Sequence, residues 1–330
     1  MARVKKIINS IANLVPEVLE GLVLASQGDL RKIEGAEAVV RTAVPDGKVA
    51  LLIGGGSGHE PMYTCYVGQG LADGSVAGNV FAAPNPGIIL EATKALHRGN
   101  GVIYLYGNYA GDNMNFDIAG EMAEAEGITT ATIRIADDIV TKDRKERRGI
   151  GGAFYVVKCA GAICAEATSL AAAAADICRV ADAVRSIGVA VSAGSLPETG
   201  APTFILGDDD IEIGMGAHGE PGVERRKLMP ADELAEEMTR LLVADLPFKA
   251  GDEVALMINN LGATTMMELL IVNRKVRAVL DELGISVYRT DIGPFFTSQE
   301  MAGFSLSLMK LDGEIRRWLD APTKSPGFSQ

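Results

Sequence analysis

Three short loops carry the residue types that can do chemistry. The first is Leu51-Leu52-Ile53-Gly54-Gly55-Gly56-Ser57-Gly58-His59-Glu60-Pro61. An apolar run enters a glycine cluster and ends on a histidine beside a glutamate. Backbone N–H groups exposed in such a turn can bind a polar ligand; the plainer reading is a tight strand–helix turn. No Lys-Ser or Lys-Thr pair follows, so this is not a Walker A loop, and His59 breaks the G-x-G-x-x-G pattern. The second loop is Gly107-Asn108-Tyr109-Ala110-Gly111-Asp112-Asn113-Met114-Asn115. Asp112 stands where a general base could act on a hydroxyl, or where an acid caps the following helix. The third is Gly214-Met215-Gly216-Ala217-His218-Gly219-Glu220-Pro221-Gly222. A histidine between glycines is sterically open and suits a neutral imidazole acting as nucleophile or base; a simple loop histidine is the alternative. Gly214 to Gly219 formally matches the dinucleotide fingerprint, but Pro221 and Gly222 stand where its helix should continue.

The elements around these loops alternate. Pro16 opens a helix that carries Val18, Leu19, Leu22 and Val23 at helical spacing up to Gly28. Val49–Ile53, Val102–Tyr106 and Ile128–Ile135 read as strands, with helical stretches over Gly87–His97 and Asn115–Glu126 between them. Ser169–Ile187 reads as one long alanine-rich helix stopped by Gly188. Short strands follow at Val189–Val191, Thr203–Leu206 and Ile211–Ile213. A second alternation then runs through Val254–Ile258, a helix over Thr265–Leu283, strands at Ile285–Arg289 and Phe304–Leu308, and a helix over Gly313–Leu319. This pattern predicts two α/β domains, each a largely parallel or mixed sheet flanked by helices. The boundary falls near residue 185, giving a first domain 1–185 with the glycine-rich loop and Asp112, and a second domain 186–330 with His218. His97 reads as a helix C-terminal residue, Lys142–Arg148 as a solvated loop, Asp208–Asp210 as a solvated turn, and Trp318 as a packing residue.

Composition narrows the function classes. The 330 residues carry 43 acids against 31 bases, a net charge of −12, which argues against nucleic-acid binding. Apolar residues at 48% and charged residues at 22% fit a globular protein. Four cysteines without C-x-x-C spacing and only three histidines argue against a zinc site and a disulfide scaffold, and fit a reduced cytoplasm. Arg3, Lys5 and Lys6 precede Ile7-Ile8, but Asn9, Ser10 and Asn13 interrupt the apolar stretch, so no signal peptide is expected. Ala153–Ala175 is too weakly apolar for a membrane span.

Taken together, the loops resemble the dihydroxyacetone kinase family, specifically its substrate-binding (DhaK) subunits. The resemblance rests on Gly54–Pro61, Tyr66-Val67-Gly68, Val76–Phe81, Asn108–Phe116, Arg147-Arg148-Gly149, Gly214–Gly222, Asn259–Leu269 and Thr297–Gly303. It covers nearly the whole chain. It implies that His218 adds to the ketone carbon of a short ketose and forms a covalent hemiaminal. Asp112 matches the family's acceptor of the attacking hydroxyl's proton, and His59 matches the histidine that hydrogen-bonds the substrate. Gly56, Ser57 and Gly58 would supply backbone contacts. No metal or cofactor is expected on this chain. ATP or ADP with Mg would sit on a separate nucleotide-carrying (DhaL-type) subunit, in some systems rephosphorylated by a phosphotransferase-system protein. The resemblance further implies a homodimer, and the composition a cytoplasmic protein with neither nucleic acid nor membrane as partner.

Two positions depart from the family pattern. Ala83 stands where a serine is frequent, and Gly107 where a lysine is common. Both remove a polar side chain from the expected substrate wall, and the loss at 107 would open space, as for a four-carbon ketose such as erythrulose. Met62-Tyr63 is bulkier than usual. A second reading, from another class, is a ketose sensor acting with a transcription regulator; it needs only His218, whereas the enzyme also needs Asp112 and His59. A third, a nicotinamide oxidoreductase, rests on Gly214–Gly219.

Overall fold

The computed structural model describes residues 4–330; Met1–Arg3, and with them the first base of the N-terminal basic stretch, lie outside the described residues. The contacts form two units, each built on its own six-stranded sheet. The first comprises residues 6–135, 155–181 and 315–330. Its strands are β1 (Leu30–Lys32), β2 (Ala38–Arg41), β3 (Ala50–Ser57), β4 (Gly74–Val80), β5 (Val102–Gly107) and β6 (Thr130–Ile135), in the order β1-β2-β4-β3-β5-β6. β4, β3, β5 and β6 run parallel, and β1 and β2 are antiparallel additions at one edge. Its helices are α1 (Leu14–Ala25), α2 (Pro86–Leu96) and α3 (Ala110–Ala125), with most of α4 (Ala153–Glu166), α5 (Leu170–Asp182) and the final helix, Gly313–Asp320.

The second unit comprises residues 136–154 and 182–314, with Val4 and Lys5. Its strands are β7 (Val184–Ser192), β8 (Asp210–Ile213), β9 (Glu224–Lys227), β10 (Glu253–Asn260), β11 (Ser286–Gly293) and β12 (Ala302–Lys310), ordered β11-β10-β12-β7-β8-β9. Only β10 and β11 pair in parallel; every other pair is antiparallel. Helices α6 (Ala231–Asp245) and α7 (Met266–Glu282) belong to it. The two α/β sheets thus match the expected class: the first largely parallel, the second mixed.

The apolar runs form strands because they are covered on both faces, as parallel strands are. Leu52, Val102 and Tyr104 are fully buried and pack with Ile89, Phe116 and Ala119 in the first core. The second core gathers Ile187, Leu256 and Leu306 from the sheet with Met238 and Val276 from α6 and α7. α7 starts at Thr265 with a reciprocal capping box to Glu268, so the helix predicted from Thr265 begins where its cap stands.

Three expectations are corrected. Ser169–Ile187 is not one helix: α5 ends at Asp182, and Val184 to Ser192 become β7. Pairing with β12 wins over helical periodicity there, and Gly188 sits mid-strand rather than stopping a helix. Its bare Cα lets the Met215 carbonyl come within 3.2 Å of where a Cβ would be. Thr203–Leu206 is irregular, not a strand. Lys142–Arg148 is only partly solvated, because Arg147 is buried and forks onto Asp245 at 2.8 and 2.6 Å. The contacts group each unit from discontinuous segments of the chain. The chain passes between the units after residues 5, 135, 154, 181 and 314, because most of α4, α5 and the final helix return to group with the first unit.

The C-terminal segment shows how tightly that return is made. Gly68 and Gly70 lie under the backbone of Pro322 and Lys324, where a Cβ would collide with main-chain carbonyls. Lys324 N–H donates to the Gln69 carbonyl at 2.9 Å. In the final helix Trp318 is buried, as a packing residue should be, and its indole N–H donates to Glu166 at 2.7 Å.

Candidate active site

In the first unit the site residues gather at the carboxyl ends of β3 and β5, the end of a parallel sheet where ligands are bound. The glycine cluster is not a turn. Gly54, Gly55 and Gly56 lie inside β3 and pair with Val76, Ala77 and Gly78 of β4. Their role is steric: a Cβ on Gly54 would strike Val76, one on Gly55 the Tyr63 ring, and one on Gly56 the backbone of Phe81 and Ala82. Only Gly58, at φ +99°, uses the left-handed region that favours glycine. Its N–H donates to both Glu60 carboxylate oxygens, at 3.1 and 3.0 Å. Burial raises the Glu60 carboxyl above its ordinary value, against the pull of N–H groups of Glu60 and Gly58. Ser57 is turned inward, its hydroxyl donating to the Gly78 carbonyl at 2.7 Å.

His59 is 1% exposed, with its ring 4.9 Å from that of Phe81. Phe81 and Tyr63 both hold positive φ, +56° and +66°, which is costly for residues with a Cβ. Two strained non-glycine residues thus flank the histidine, a clustering common at binding sites.

Asp112 is 9% exposed and lies in the first turn of α3. The cap position belongs to Tyr109, so Asp112 is not the N-cap residue. Its charge faces Tyr106, whose hydroxyl is pushed up to about 12, first by burial. Asn113 donates to Asn108 at 2.9 Å and Asn115 to the Pro84 carbonyl at 2.9 Å, fixing the loop on both sides of Asp112. Ala83 lies against this helix start: its Cβ is 3.3 Å from where a Cβ on Gly111 would be.

Gly107 ends β5 and is buried. The space its bare Cα leaves is filled, contrary to the expected opening. A Cβ there would lie 3.1 Å from the Tyr109 ring and 3.3 Å from the Tyr63 hydroxyl. The bulky Tyr63 and the missing side chain at 107 are therefore one arrangement.

In the second unit His218 lies in the loop of the β8–β9 hairpin. A strand, not a helix, follows Gly214–Gly219, so the dinucleotide reading loses the helix it requires. Gly214 and Gly219, at φ +80° and +87°, make the sharp turns. The His218 N–H donates to one Glu220 oxygen at 2.9 Å, and His218 Nδ1 meets the other at 2.8 Å. Burial acts to raise the Glu220 carboxyl, but the His218 hydrogen bond and charge outweigh it and hold the group at about 2. An ionised Glu220 only accepts, so the contacting Nδ1 is a protonated nitrogen, and in the neutral ring the lone pair is then on Nε2. The side chain of His218 is 24% exposed. Glu220, whose carboxylate holds His218, is a residue that sequence reasoning left unassigned; its signal was a glutamate two positions after the histidine.

Among the described residues, no group of three or more His, Cys, Asp or Glu could hold a metal ion. No helix among them is long and apolar enough to cross a membrane.

This α/β protein, with a glycine-lined histidine loop at one sheet and a glycine-flanked histidine hairpin at the other, matches the Dak1 domain over residues 20–327. The chain belongs to the Dak1 family, the dihydroxyacetone kinase family of its resemblance. It is 40% identical over 319 residues to the PTS-dependent dihydroxyacetone kinase 1, dihydroxyacetone-binding subunit DhaK, of Listeria innocua, covering 96% of both chains. It is 38% identical to the L-erythrulose kinase of Pectobacterium atrosepticum, covering 97% of this chain and 55% of that one. The C. freundii dihydroxyacetone kinase, solved in complex with AMP-PNP and Mg2+, superposes with a TM-score of 0.92 at 31% identity, over 98% of this chain and 61% of that one.

Proposed function

We propose that this chain is the ketose-binding subunit of a dihydroxyacetone-type kinase, with His218 as the covalent anchor. The carrying observation is the 2.8 Å contact between His218 Nδ1 and the Glu220 carboxylate. The Nε2 lone pair attacks the ketone carbon, the C=O electron pair moves to oxygen, and that oxygen takes up a proton. The new C–N bond places positive charge on the ring, and the adjacent Glu220 carboxylate stabilises it until the Nδ1 proton leaves to water, balancing the proton that the oxygen takes up from water. The product is a neutral hemiaminal. Short ketoses offer few atoms for contact, so a reversible bond adds both affinity and selection for carbonyl compounds over polyols such as glycerol.

Asp112 then accepts the proton of the substrate's primary hydroxyl as its oxygen attacks phosphorus. His59 hydrogen-bonds the ketose, with Gly56, Ser57 and Gly58 as backbone contacts and Ala83 and Gly107 bordering the substrate. The phosphoryl donor is a nucleotide with Mg on a separate DhaL-type subunit, used as free ATP or recharged by a phosphotransferase-system protein. The active form is a cytoplasmic homodimer. The substrate is dihydroxyacetone or a four-carbon ketose such as erythrulose. The burial of both Asp112, 9% exposed, and His59, 1% exposed, beside the glycine-lined loop supports the kinase over the sensor, since capture alone needs neither.

Calorimetry with dihydroxyacetone, erythrulose and glycerol tests this. The native protein is expected to bind ketose and ignore glycerol, and His218→Ala to bind neither. Equal ketose binding by the variant would remove His218 as the anchor.

A further inference from the structure

The loop that carries His218 is gripped from a second place in its own unit. Asp138 is 1% exposed and pairs with Arg148 at 2.7 Å, while also accepting from the Val140 N–H at 3.1 Å. Arg148 Nε reaches the same Asp138 oxygen at 2.9 Å. Its Nη2 donates to the Gly214 carbonyl at 2.8 Å, and its Nη1 points at the Pro221 carbonyl at 3.5 Å. One guanidinium therefore touches both ends of the loop between Gly214 and Pro221. The segment behind it is pinned as well: the buried Asp137 carboxylate accepts from the Ile150 and Gly152 N–H groups, at 2.8 and 2.9 Å.

Gly216 shows why this grip bears on the chemistry. A Cβ there would collide with a Glu220 carboxylate oxygen and with Arg148 Nη1. The absence of a side chain at 216 lets the guanidinium and the carboxylate that holds His218 share one space. On the other flank the Ser298 hydroxyl donates to the Ala217 carbonyl at 2.5 Å. The residue before the histidine is thus fixed separately.

We propose that Arg148, seated on Asp138, is a positioning residue for ketose capture: it ties Gly214 to Pro221 and so keeps the Glu220–His218 pair in its reactive register. This rests on the reading of His218 as the ketose anchor. Arginine suits the task because its planar fork makes several directional bonds at once, which a lysine ammonium cannot reproduce in the same geometry. Burial pushes the Asp138 carboxyl up to about 6 against the pull of Arg148, so a variant without a cation strands a buried acid. The informative change is therefore Arg148→Lys, which retains the charge.

Dihydroxyacetone binding by calorimetry and thermal melting are measured together on the native protein, Arg148→Lys, Arg148→Ala and His218→Ala. Arg148→Lys is expected to melt near the native temperature yet bind about 10–100-fold more weakly, the scale of a small misplacement of reacting groups. Low concentrations of added guanidinium are expected to restore part of the binding to Arg148→Ala, a recovery that no general loss of packing would show. Native-like binding by Arg148→Lys overturns the proposal while leaving His218 as the anchor. If Arg148→Lys does not fold, absence of guanidinium rescue in Arg148→Ala overturns it. If the native protein binds no ketose, or His218→Ala binds it equally, the anchor reading fails and this proposal fails with it.

Discussion

In the first unit His59 is 1% exposed, tilted against Phe81 at the end of a largely parallel sheet. In the second, His218 keeps 24% of its side chain exposed in a hairpin loop of a mixed sheet, tied to Glu220. One imidazole is buried against an aromatic ring; the other is held by a carboxylate and keeps about a quarter of its side chain exposed. The contrast follows from architecture. Parallel strands bring rigid, buried loop starts to one end of the sheet, which suits groups that must hold still beside a reacting hydroxyl. A hairpin loop built on glycine turns projects a side chain outward, which suits a nucleophile.

If the first unit serves transfer and the second serves capture, the two should fail separately. Asp112→Asn is expected to lower turnover with an added donor subunit by about 10²–10⁴-fold, the usual contribution of a general base. Ketose binding should remain near native. A parallel loss of binding would break the division between the units.

A smaller effect should come from the wall of the first unit. Gly107→Lys is expected to destabilise the protein by about 1–3 kcal/mol, because a side chain must enter space held by Tyr63 and Tyr109. Adding Tyr63→Ala should recover part of the loss, a non-additive pair read by thermal melting. A Gly107→Lys variant as stable as the native protein would show that the tyrosines yield without cost.

The smallest effect concerns the single tryptophan, a reporter on the first unit alone. Hydrogen bonds from Arg317 and then Trp318 hold the Glu166 carboxyl at about 2, below its ordinary 4.5. A depressed value in the folded state adds stability above pH 4.5 and loses it as pH falls through about 2. Trp318 emission should therefore shift across that window before the second unit responds, and Glu166→Gln should abolish the shift. Glu166 is 47% exposed, so the pair is worth less than about 1 kcal/mol at neutral pH. An emission change unaltered in Glu166→Gln would assign it to global unfolding.

The strands were legible wherever an apolar run is covered on both faces, as in β3, β5, β10 and β12. The three loops were legible because glycine, histidine and aspartate in such density have few purely structural uses. Periodicity could not reveal the end of α5, since Val184 and Ile187 fit a helical stripe as well as a strand, and only pairing with β12 decides. Spacing could not reveal that Tyr63 fills the space at Gly107, because that contact joins residues from different elements. Nor could it assign the arginine of Arg148 a partner, since Asp138 and Gly214 meet it only after folding.

The chain passes between its units after residues 5, 135, 154, 181 and 314. As a result no uninterrupted stretch of the gene encodes either unit. Residues 315–330, which press on Gly68 and Gly70, leave the ribosome long after β3 and β4, so the first unit waits for nearly the whole chain before it can be completed. Gene fragments cut near residue 185 would each lack pieces of the unit they were meant to carry. Recombination between relatives would exchange complete units only if several separate segments moved together.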